Sequence, residues 1–138
     1  MSDFVDYIIN NVHDKIFVAY NGGKFDFILL IKELINRCDV QVNNYLKNGS
    51  RLLQYSFNGN KIFDLINFTL CSLSKACEAY KISDDKCKSE FNHTLINDWY
   101  DVEKFESQVL PYLHLDLISM RELLIKFNDE IYDIEHKN

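Results

Sequence analysis

Two pairs of polar side chains in this 138-residue sequence sit among apolar neighbours and could do chemistry. The first pair is Asn21 and Asp26, in VAYNGGKFDFILLIKELI (Val18–Ile35), between an apolar run and an apolar helix pattern. An Asp in the first turn of a helix, just past the C-terminal end of a buried strand, occupies the place where open α/β sheets bind ligands. The same Asp also complements the helix dipole, worth a few tenths to about 1 kcal/mol, and Asn21, Gly22 and Gly23 suit an ordinary turn. The second pair is Tyr112 and Asp116, in PYLHLDLISM, four residues apart and so on one face of a helix. That face borders the apolar positions Leu113, Leu117 and Met120, which places a carboxylate at the edge of a core. Such a carboxylate is costly without a partner. A metal ion is one partner, and a neighbouring tyrosine hydroxyl can orient a water; a partly exposed Asp beside a packed Tyr is the plain alternative.

The elements that must position these residues follow from period and turn chemistry. Ser2 caps a first helix with Phe4, Val5, Ile8, Ile9 and Val12 on one face. KIFVAY (Lys15–Tyr20) reads as a buried strand, followed by a helix from about Lys24 to Asn36. RLLQYSF (Arg51–Phe57) and KIFDLI (Lys61–Ile66) flank NGN, a hairpin turn. SLSKACEAY (Ser72–Tyr80) reads as a short capped helix, and Lys81 to Asp98 as a polar loop. A final long helix carries an apolar stripe of Leu113, Leu117, Met120, Leu124, Phe127, Ile131 and Ile134. This order predicts a single α/β domain over residues 1–138, a small sheet covered by helices.

Composition bounds the function classes. A hydrophobic content of 47% with 26% charged residues suits a soluble globular chain. The net charge of −6 argues against broad attraction to nucleic acid, so any such contact is local. The apolar run Phe27–Ile31 is far too short to span a bilayer, and acids stand where a signal peptide needs a basic start. Cys38, Cys71, Cys77 and Cys87 form no C-x-x-C arrangement, and Cys87 with His93 is half a zinc site at most. Reduced thiols in an intracellular protein are the expectation.

Taken together, N-x-x-x-F-D after a buried strand and Y-x-x-x-D on a later helix resemble the 3′–5′ exonuclease domain of family B DNA polymerases. In particular they resemble the protein-primed branch found in linear plasmids, mitochondria and viruses. NGGKFD is similar to that family's second exonuclease motif and YLHLD to its third. Between them, IFDLINFTLCSLSKACEAYKI resembles a stretch in which an Asp precedes a Ser-Leu helix start. KSEFNHTLIN resembles the family's K-G-x-F-P-H segment, matching at Lys88, Phe91 and His93 and departing at Ser89 and Asn92. The resemblance runs from about Lys15 to Tyr132.

The resemblance implies a ribonuclease H-like fold in which four carboxylates hold two Mg²⁺ or Mn²⁺ ions, about 3.5–4 Å apart in such sites. Asp26 and Asp116 would be two of those metal ligands and would face one cleft, with Tyr112 orienting the attacking water and Lys88 on the scissile phosphate. Asn21 and Phe25 would hold the terminal nucleotides, Phe25 by stacking. Ser72 and Leu73 would line the single-strand path, with Phe91 and His93 as further nucleic-acid contacts. The partners implied are single-stranded DNA at a primer terminus and the remaining polymerase domains, with no membrane. No D-x-E, the family's first motif, precedes Asn21, and Asp3 and Asp6 fall in a helical pattern. The expectation is therefore a fold lacking its first β-hairpin, without palm sequence, as an internal piece of a mitochondrial, plasmid or viral polymerase. Such a piece should bind metal weakly and be inactive as an isolated chain. The alternative is a non-catalytic remnant that binds single-stranded DNA or a polymerase partner.

Overall fold

The computed structural model describes residues 2–37, 40–83, 85 and 91–136. They form two compact units, Met1–Leu70 and Cys71–Asn138. The α/β expectation holds: the chain combines a four-stranded mixed sheet with helices.

The first unit carries the sheet, with strands β1 (Ile16–Ala19), β2 (Val42–Asn48), β3 (Arg51–Phe57) and β4 (Asn60–Asp64) in the order β1-β4-β3-β2. Its helices are α1 (Ser2–Asn11), α2 (Asp26–Ile35) and the single turn α3 (Ile66–Thr69). β3 and β4 form the expected hairpin, with Asn58 at φ 45° and Gly59 at φ 78° in the left-handed conformation that matches strand twist. β1 then runs parallel to β4, Ala19 lying opposite Asp64. Asn60, fully buried at the start of β4, accepts from the Lys15 backbone N–H at 3.0 Å and donates to the Val12 carbonyl at 2.8 Å. It thereby ties the α1–β1 connection to the hairpin. Val5 and Ile8 of α1 and Phe27, Leu30 and Leu34 of α2 pack with Leu52, Tyr55, Phe57 and Ile62 of the sheet. The Tyr55 ring meets Phe27 edge-on at 6.1 Å, and burial pushes its phenol well above the usual tyrosine range.

Three features of this unit depart from the sequence reading. β2 was not expected, because VNNYLKN is polar and its residues are exposed beyond half-buried Val42; antiparallel pairing with β3 makes it a strand. β1 is less buried than a central strand, with Ile16 at 64% exposure, because β4 is its neighbour on one side only among the described residues. Phe4, assigned to the buried face of α1, is 51% exposed, while Val5 and Ile8 carry that contact.

The second unit is helical: α4 (Leu73–Ala79), a 3-10 turn (His93–Leu95), α5 (Trp99–Lys104) and the long α6 (Glu106–Glu135). Ser72 caps α4 as expected, its hydroxyl accepting from the Lys75 N–H at 3.4 Å. At the other end the Ile82 N–H reaches the Cys77 carbonyl and the Lys81 N–H the Glu78 carbonyl, with Lys81 at φ 52°. This is a Schellman closure. Lys126 of α6 donates to the Tyr80 and Lys81 carbonyls at 2.7 and 2.8 Å, so a cation from one helix completes the end of another.

The apolar stripe expected on α6 is covered only in part, with Met120, Leu124 and Phe127 half-buried. Leu113, Leu117, Ile131 and Ile134 are exposed, whereas Tyr112, Ser119 and Leu123 are buried. The buried set lies about a quarter of a helix turn away from the leucine stripe. The neighbouring elements cover one side of a 30-residue helix, and periodicity does not say which of two adjacent apolar faces they choose.

Candidate functional site

Because β1 and β4 run parallel and end together, the chain leaving β1 must cross the end of β4, where Asp64 sits. Asp64, two residues after Ile62, shares its face and so points to the helix-covered side, fully buried. Its Oδ1 accepts from the Asn21 N–H at 2.7 Å and the Ile66 N–H at 3.3 Å, and its Oδ2 accepts from the Gly23 N–H at 2.9 Å. A buried carboxylate is tolerable because backbone donors surround it. The ladder continues beside it, the Leu65 N–H reaching the Ala19 carbonyl at 2.9 Å.

The glycines of the NGGKFD turn answer to close approach. A Cβ on Gly23 would lie 2.0 Å from the Leu52 carbonyl oxygen, and one on Gly22 would lie 2.8 Å from Ala19 Cβ. Gly23→Ala therefore pushes the loop off β3, and we expect a loss of about 2–3 kcal/mol in stability, read from the urea midpoint of the purified chain. Asn21 adopts φ 65°, a conformation that Asn tolerates better than most residues, and its Oδ1 accepts from Arg51 Nη2 at 3.2 Å.

What this braced loop presents is an aromatic ring and a carboxylate. Phe25, at the N-cap position of α2, is 64% exposed, and Asp26, the first helical residue, is exposed beside it. Phe27, Leu30 and Leu34 of the same helix are buried in the core, so the helix start is anchored while Phe25 and Asp26 are not covered.

In the second unit Tyr112 is buried on α6, and Asp116, one turn on, is half-buried. Phe91 and His93 close on Tyr112: ring centroids lie 5.2 Å from Phe91 to Tyr112, 5.6 Å from His93 to Tyr112 and 5.4 Å between Phe91 and His93. The His93 ring meets both partners edge-on, an arrangement that orients the tyrosine. Phe91, His93 and Tyr112, all singled out from the sequence, are thus in direct ring contact within this unit. Ser72 is exposed as a helix cap, Leu73 is buried, and Lys88 lies outside the described residues.

Sequence reasoning met Asp64 only as the Asp of IFDLINFTLCSLSKACEAYKI, without a role, and missed Arg51. The available signal for Asp64 was a lone acid closing the apolar run KIF; for Arg51 there was none, since a strand-start arginine is ordinary. Among the described residues no group of three or more His, Cys, Asp or Glu could hold a metal ion.

The family model for DNA polymerase type B, organellar and viral, matches residues 7–111. A DNA polymerase of Kluyveromyces lactis is 26% identical over 136 residues, covering 91% of this chain and 14% of that protein. The chain thus spans about a seventh of the length of that relative. No solved structure matches.

Proposed function

The chain belongs to the organellar and viral type B DNA polymerases, and on that premise we propose that it is the 3′–5′ proofreading exonuclease part of a protein-primed polymerase, with a ribonuclease H-like fold. Its task there is to hold the single-stranded 3′ end of a primer, with Asn21 and Phe25 on the terminal nucleotides. Asp26 and Asp116 contribute to the metal site of the complete domain, with Tyr112 beside them. Lys88, Ser72, Leu73, Phe91 and His93 keep the supporting roles that the resemblance implies.

The observation that carries this reading is the exposure of Phe25 next to Asp26 on a loop held by a buried carboxylate. A large aromatic is left open to solvent at a fixed position, where a base can stack on it. The test is fluorescence anisotropy of a labelled oligothymidylate with a free 3′ end. We expect weak, salt-sensitive binding, given the net charge of −6. Phe25→Ala is expected to cost about 1–3 kcal/mol of it, the worth of one stacked base. Tight binding that this substitution leaves unchanged would count against the site.

One observation favours a second reading, single-strand holding without hydrolysis: the described residues lack a metal-sized cluster of carboxylates. That reading expects the same anisotropy result with no dependence on Mg²⁺ or Mn²⁺.

A further inference from the structure

We propose that Arg51 is the phosphate-binding cation of the Asn21–Phe25 loop, an assignment that rests on the single-strand reading above. A strand held by its terminal bases brings phosphates to the same loop, and a chain of net charge −6 must meet them with a local positive group. Arg51 begins β3, and its stem runs over the loop: a Cβ on Gly23 would lie 3.1 Å from Arg51 Cγ. The residue is half-buried, so part of the side-chain entropy of ordering a long cation is already lost in the fold.

The guanidinium end reaches Asn21, where Nη2 donates to Oδ1 at 3.2 Å. That bond uses one N–H of a planar fork with several, and it is the hydrogen bond the Arg51 side chain makes among the described residues. The remaining N–H groups form a donor set matched to a phosphate, which a guanidinium engages in two parallel bonds. Having no acceptor, the group is not a reader of base edges that offer donors; its fit is to the backbone of the strand. Asn21 and Arg51 would then act together, one on the nucleotide and the other on its phosphate.

The competing role is a brace, in which Arg51 only orients the Asn21 carboxamide. Arg51→Gln separates the two, because glutamine can still donate to Asn21 Oδ1 but carries no charge. The measurement is anisotropy of the same oligothymidylate against potassium chloride concentration, with the amide NMR spectrum as the check on fold. Arg51→Gln is expected to weaken binding roughly five- to tenfold at low salt and to reduce the slope of log K against log salt by about 0.7. Arg51→Lys is expected to restore the slope. In the unaltered chain, the Arg51 Nε–H resonance should shift as oligonucleotide is added. An unchanged slope in Arg51→Gln, or an unmoved Arg51 resonance, overturns the assignment while Phe25→Ala still weakens binding and leaves the single-strand reading in place. A chain that binds no oligonucleotide at any salt concentration removes both.

Discussion

Asp64→Ala is expected to remove about 4 kcal/mol of stability from the sheet-bearing unit. The substitution takes the acceptor from three backbone N–H groups, of Asn21, Gly23 and Ile66. Each buried donor left without a partner costs about 1–3 kcal/mol, with the least at the partly buried ones. A unit of about 70 residues has roughly 4–10 kcal/mol in total, so the loss approaches the whole margin. Asp64→Asn should cost about half as much, since one acceptor oxygen survives while the amide N–H₂ faces a backbone donor. Urea unfolding of the three proteins checks this order, with near-equal slopes showing that the folded states are comparable. Equal stability for Asp64→Ala and the parent would show that the loop is held by something other than this carboxylate. The functional consequence follows: an unbraced loop no longer presents Phe25 and Asp26 in one place.

The second large effect is catalytic. The 138 residues alone are expected to digest no single-stranded DNA above background with Mg²⁺ or Mn²⁺. Asp26 and Asp116 are two carboxylates, and a two-metal site with oxygen ligands needs more. A segment carrying a D-x-E strand, fused or supplied separately, should restore metal-dependent digestion. Among the described residues β1 has β4 on one side only, so it also offers such a strand an edge to pair with. In the reconstituted protein, Asp26→Ala or Asp116→Ala should each remove several kcal/mol of transition-state stabilisation, at least about a thousandfold in rate. Digestion by the 138 residues alone that disappears in Asp26→Ala would show that the donors present suffice.

Local pattern was enough for much of this protein. The Asn58–Gly59 turn, strands β1, β3 and β4, the apolar anchors of α2 and the Ser72 cap each depend on a few consecutive residues, whose turn chemistry and period are written in order. The NGGKFD and YLHLD motifs were likewise visible, because each places its polar residues within one turn or one helix face. Other features had no local signature. β2 is polar and becomes a strand through its partner β3, and the covered face of α6 was chosen by what packs on it rather than by its leucines. Asp64 lies 43 residues from Asn21 and 41 from Gly23, and Arg51 lies 30 from Asn21. Those bonds exist because β4 returns through a hairpin to run parallel to β1, ending both strands at the same place. A carboxylate at the end of one strand becomes the brace for a loop after the other only when that crossover has formed, since the desolvated backbone donors that require it are themselves a product of the packing.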